Sequence, residues 1–292
     1  MNVHRAGWTS SSFLVYTGGL TVLFSLFALL GVIAADHGQG AFAGWSVVIF
    51  LAIEVCAFWL RQSDRPVAAG VFAFVAVLLF GLMVGAFFNW FGWLHGGEGP
   101  FSGFHFGLLG VELLTLTAAF AALRVFRFPL ICLITSGLGW YFVTDVLSSG
   151  GNWTTTVTFL VGLMLLCIGL GLDSGNSRPY GFWTHFVAGL TVGGSLLTWW
   201  HSGDFEWTLI IITSLIFIAI GSAARRSSWA VFGAIGLAAA TAHFAFDQTF
   251  SFSSDTVSRP QTWVGPISYL CLGFFLTLLG LHLSRRGDAE RT

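Results

Sequence analysis

VAAGVFAFVAVLLFGLMVGAFFNW, residues 67–90, holds no ionisable side chain. As a helix rising 1.5 Å per residue it would cover about 36 Å. The hydrocarbon core of a bilayer is about 30 Å thick and takes roughly 20 apolar residues to cross. The stretch therefore reads as a membrane span, and Pro66 just before it suits the first turn of a helix.

Nine more stretches meet the same test: about 13–35, 41–60, 104–123, 128–147, 154–172, 182–200, 205–224, 228–247 and 263–284. The breaks between them are short and rich in turn formers, among them Asp36-His37-Gly38, Ser63-Asp64-Arg65-Pro66, Gly96-Gly97-Glu98-Gly99-Pro100 and Ser148-Ser149-Gly150-Gly151-Asn152. The longest runs from Gln248 to Thr262, so no loop has room for a soluble domain. Arg5 followed by an apolar run resembles the start of a signal peptide. The run from Phe13 to Ala35 is too long for an h-region, however, and is expected to stay as the first span. The expected fold is all-α: a polytopic membrane helix bundle of about ten transmembrane helices, forming one integral membrane domain over residues 1–292 with halves 1–150 and 151–292.

Composition agrees. Of 292 residues, 55% are hydrophobic and 9% charged, where soluble proteins carry roughly 25% charged residues. Mean hydropathy is +0.83. The bilayer is thus the first partner of this chain. All twelve basic residues are Arg, a bias that points to a GC-rich bacterial genome and a bacterial cytoplasmic (inner) membrane. The net charge of −1 and the absence of a basic patch exclude nucleic acid as a partner. The cysteines, Cys56, Cys132, Cys167 and Cys271, each sit inside an apolar run, where they read as small buried hydrophobes rather than a disulfide framework or a zinc site.

Arginine also sets orientation, because cytoplasmic loops collect basic residues. With the N-terminus inside and ten crossings, eleven of the twelve Arg fall on the cytoplasmic side, and only Arg259 falls outside. Both termini are then cytoplasmic. Most carboxylates lean the other way, including Asp36, Glu98, Asp145, Asp204, Glu206, Asp247 and Asp255. Many of the Trp share that outer boundary, Trp45, Trp90, Trp93, Trp153 and Trp207 among them. They form an interfacial belt or a docking surface for a membrane protein partner or a second copy of the chain. The GxxxG pairs Gly81/Gly85, Gly103/Gly107 and Gly189/Gly193 have the spacing of tight helix contacts.

Chemistry is sought where polarity is expensive. A charge at the centre of a membrane helix costs about 2.5–3.5 kcal/mol on the insertion scale. Glu54 and Glu112 lie inside apolar runs, so each must face protein or water, or be protonated. Arg61, seven residues after Glu54 and on nearly the same face, is a candidate partner for it. Glu112 has no Arg at that spacing. His105, Glu112 and Thr115 make a polar line down one helix, and Asp145 ends the next, one turn after Tyr141. These residues suggest binding of a proton or small solute at Glu112, Glu54, His105 and Asp145. His243 and Asp247, an i, i+4 pair, could join His105 as metal ligands, since imidazole and carboxylate suit zinc or copper. Nothing in the chain specifies a cofactor, and no P-loop, GxSxG or HExxH motif is present.

In length, helix count and cytoplasmic ends the chain is similar to the drug/metabolite transporter superfamily, whose members are built from two inverted five-helix repeats. Arg225-Arg226-Ser227-Ser228-Trp229-Ala230-Val231-Phe232-Gly233 and Arg127-Phe128-Pro129-Leu130 resemble bacterial multi-pass membrane proteins, a likeness that carries over no functional residue. Three function classes follow. The first is a small-solute carrier with proton-linked intramembrane carboxylates. The second is a non-catalytic subunit or scaffold docking a partner through its Trp-rich acidic outer face. The third is an outer-face metal-binding protein or membrane enzyme.

Overall fold

The structure, a computed structural model, describes residues 10–94, 105–148, 150–175, 177–223, 227–246 and 267–278. Among them every regular element is a helix: α1 (Ser10–Gln62), α2 (Pro66–Trp90), α3 (Phe106–Phe126), α4 (Ile131–Leu147), α5 (Gly151–Ser174), α6 (Arg178–Trp199), α7 (Asp204–Ala223), α8 (Ser227–Phe246) and α9 (Ile267–Leu278). Six are long and apolar enough to cross a membrane: α1, α2, α3, α5, α7 and α8. Helices α4 and α9 are apolar but shorter over their described residues, and α6 is diluted by Arg178, Thr184, His185, Thr191 and Ser195. Large apolar side chains also cover the outside, among them Phe24, Val55, Leu160, Leu215 and Ile235. Such a surface is compatible with a multi-pass bundle whose solvent is hydrocarbon.

Helix α1 is two antiparallel arms. Gly38 has φ 77° and ψ −178°, a conformation that glycine tolerates and other residues do not. Gly19 lies against Val71 near the start of α2, while Gly40 lies against Trp90 at its end. Phe50 then meets Phe80, with ring centroids 5.5 Å apart. The chain therefore runs up α2, reverses at Gly38 and runs back down. Asp36 and His37 are exposed at the reversal, so this break is the one read from Asp36-His37-Gly38.

The chain divides into two compact units, Met1–Val157 with Ile168–Thr184, and Thr158–Cys167 with His185–Thr292. In the first, α2 is the core. Val75, Ala76 and Leu79 are buried, with the arms of α1 on one side and α3 on another. The Gly81/Gly85 pair lets α3 come close: Gly81 faces Thr115, and Gly85 faces Val111. Gly70 does the same for the Phe128 ring. The α3–α4 turn is held by Arg127, whose left-handed backbone (φ 51°) caps α3 through an N–H bond to the Leu123 carbonyl. The Tyr180 hydroxyl donates to the Arg127 carbonyl at 2.6 Å and ties α6 to that turn.

In the second unit α7 packs on α8. Gly233 and Gly236 lie against Ser214, and Gly189 of α6 lies against Phe232. Gly103 of the remaining GxxxG pair lies outside the described residues. All four cysteines are free. Only Cys132 is buried, whereas Cys56, Cys167 and Cys271 are exposed, which an apolar thiol accepts in hydrocarbon.

Candidate functional site

Helix α3 begins where α2 lets it. Gly107 sits against the Trp93 carbonyl, and Gly110 against the Phe88 ring, so α3 puts no side chain of its own into either contact. This close approach carries Glu112 inward, to 3% exposure. Thr115, one turn on, is also buried, and its hydroxyl donates to the Val111 carbonyl at 2.6 Å. Neither Glu112 oxygen has a hydrogen-bond partner.

Across from it, α4 brings Asp145 and Thr144, both fully buried. The Thr144 hydroxyl has no partner either. The Asp145 carboxylate is within electrostatic reach of Glu112, and Tyr141, one turn before Asp145, is within reach of both. Of the residues singled out in the sequence, the fold thus gathers Glu112 and Asp145 and adds Tyr141. Glu112 is buried without a donor to either oxygen, and the like charge of an ionised Asp145 within electrostatic reach opposes it. A proton or a cation between them removes that opposition. Glu112 lies six residues into α3, about 9 Å from its start. It is thus nearer the start of α3 than its end at Phe126.

The other candidates do not join this pair. Glu54 is half-buried on the second arm of α1. The register of Phe50 on Phe80 places it level with Ala76, about 13 Å along the axis from the level of Gly85. Arg61 does not reach back to it: the guanidinium lies over the Phe126 ring, 5.8 Å from its centroid. His105 is half-buried at the N-cap of α3, where its side chain makes no capping bond.

His243 Nε2 meets the Asp204 carboxylate at 3.0 Å, and its ring stacks on Trp207 with centroids 4.7 Å apart. Trp207 is buried and donates to the His201 carbonyl, so this Trp is not part of a belt. Asp247 lies outside the described residues. Among those that are described, no three His, Cys, Asp or Glu side chains gather as ligands for a metal ion.

Sequence reasoning missed one buried polar pair. The Trp229 indole N–H donates to His185 Nδ1 at 3.2 Å, which assigns the imidazole proton to Nε2, since the indole only donates. Trp229 stood in the arginine-led turn Arg225-Arg226-Ser227-Ser228-Trp229, but no spacing linked it to a histidine 44 positions away. No family model, no curated protein and no solved structure matches the chain.

Proposed function

We propose that this chain is a small-solute carrier of the bacterial cytoplasmic membrane, with ten crossings and both termini in the cytoplasm, and that Glu112 and Asp145 bind the proton that drives it. The observation that carries this reading is the pair itself. Glu112 is buried with both oxygens unpartnered, and a second buried carboxylate lies within its electrostatic reach. A purely structural glutamate would have its oxygens engaged by donors. A carboxyl that must take up and release a proton or a cationic substrate has reason to keep them free. By the arginine pattern the Trp90 end of α2 faces outward, so the pair lies toward the outer side. Glu54 serves a separate step nearer the cytoplasm, and His105 lines the approach from outside.

Carbodiimide labelling of the purified protein across a pH series, read by mass spectrometry, tests this. The reagent modifies protonated carboxyls in apolar, accessible places. Glu112 labels near neutral pH, where an ordinary carboxyl titrating near about 4.3 is ionised and unreactive. Transported solutes then appear as compounds that protect it. Absence of label at Glu112 and Asp145 at every pH, while exposed carboxyls react, would show a sealed site and remove the carrier reading.

A docking scaffold is the second reading. It is favoured by Trp90, Phe91 and Trp93, which contact one another at the end of α2 and are each more than half exposed. A sealed carboxyl pair together with a stable membrane partner co-purifying through that aromatic group would establish it.

A further inference from the structure

We propose that the second unit holds the methyl end of a lipid acyl chain in a cavity between α6, α7 and α8. The cavity has a volume of about 170 Å³. Its existence follows from glycine. Gly189, Gly193 and Gly194 of α6 and Gly236 of α8 line it and send no side chain into it. A Cβ on Gly193 would stand 3.7 Å from the Phe217 ring, and one on Gly194 would meet nothing within 4 Å. Phe217 and Phe232 form the walls.

The lining carries no charge. Its hydroxyls are those of Thr213 and Ser214, and Thr213 already donates to the Leu209 carbonyl at 2.9 Å. A polar solute would find little to bind, whereas an apolar cavity of about 150 Å³ takes up a molecule the size of benzene. Two lining residues, Leu190 and Ile235, are each 53% exposed, so the mouth opens on the apolar outside of the unit. In a bilayer the matter at that mouth is hydrocarbon.

Depth selects the part of the lipid. Ile210, Ser214 and Phe217 bracket the middle of α7, and Phe232, Ile235 and Gly236 the middle of α8. Both helices are long and apolar enough to span, so their middles lie near the bilayer midplane, where acyl chains end. The volume suits a terminal segment rather than a whole chain.

The test is photolabelling of the full chain in phosphatidylcholine vesicles whose lipid carries a diazirine at the end of one acyl chain. Digestion and mass spectrometry then map the adducts. The expected result is an adduct on Phe217, a wall buried from surface lipid, beside adducts on exposed Leu160 and Leu170. Gly193→Leu fills the space and loses the Phe217 adduct while keeping those on Leu160 and Leu170. Leu190→Trp closes the mouth from an exposed position that does not disturb the core, and gives the same loss if Gly193→Leu fails to fold. A diazirine placed next to the headgroup leaves Phe217 unlabelled. The proposal is overturned if the chain-end probe never reaches Phe217, if the Phe217 adduct persists in both variants, or if only a free diazirine-bearing alkane labels it.

Discussion

Replacing Glu112 by methionine keeps the length of the side chain and removes two buried oxygens that nothing engages. Leaving a buried polar group unsatisfied costs about 1–3 kcal/mol. Glu112→Met is therefore expected to raise the thermal unfolding temperature in detergent while abolishing carbodiimide labelling at that position. Glu112→Gln keeps a polar group in the same place and gains little. A drop in stability for the methionine variant would mean that Glu112 is part of the scaffold, and the proton-binding reading would fail with it. Glu112 was legible because a lone carboxyl in an apolar run is conspicuous. Its neighbourhood was not. Asp145 was singled out for its own position, and only the packing of α3 on α4 brings it to Glu112. His243 shows the same limit. Helical spacing pointed to Asp247, four residues on, whereas the partner in the fold is Asp204, on another helix. Spacing reveals neighbours along one helix and is silent about neighbours between helices.

At the scale of elements, the first two arms depend on one residue. Gly38 sits at φ 77° and ψ −178°, a region essentially reserved for glycine, where a side chain costs about 1–3 kcal/mol. Gly38→Ala and Gly38→Asn are both expected to lower the midpoint of thermal unfolding, because at ψ −178° the backbone lies outside the left-handed helical region that asparagine tolerates. No loss in either variant would mean that the reversal is set by the packing of both arms on α2 alone. Segment boundaries were easy to read in this chain, since Pro66, the glycines and the arginine-led turns interrupt runs that are otherwise apolar. Depth was harder. Hydropathy marks where a helix is apolar but not which residue lies at its middle: the apolar run 104–123 and the helix Phe106–Phe126 have different centres. Burial was also hard to read, because a membrane helix is apolar on its lipid face as well as its core face. Three cysteines and many large apolar residues that composition would send inside are on the outside.

For the whole molecule, the arginine pattern makes an all-or-none statement about topology. Alkaline phosphatase fused after Glu98, Gly150 or Gly203 is expected to be active, and fused after Arg65, Arg127, Arg178 or Thr292 inactive, in colonies scored for the enzyme. One missed or extra crossing inverts the series from that point on, so the fusions would locate the error. What the sequence could not give at this scale is how the helices group. Each unit borrows a stretch of chain from within the span of the other: Ile168–Thr184 returns to the first, and Thr158–Cys167 belongs to the second. Grouping depends on which faces interlock, and small-residue spacing names a face without naming its mate.

The bond from the Tyr180 hydroxyl to the Arg127 carbonyl spans 53 residues and therefore has a date in the life of the chain. When Arg127 leaves the ribosome, the residue that will fasten its turn has not yet been translated. Helices α4 and α5 must be made first, and throughout that interval the Arg127 carbonyl lacks the Tyr180 hydroxyl. The first unit cannot be finished while its own helices are being made; it waits for the opening turn of α6. A nascent chain halted before Tyr180 is an incomplete clasp, and quality-control proteases of the membrane would meet it in that state.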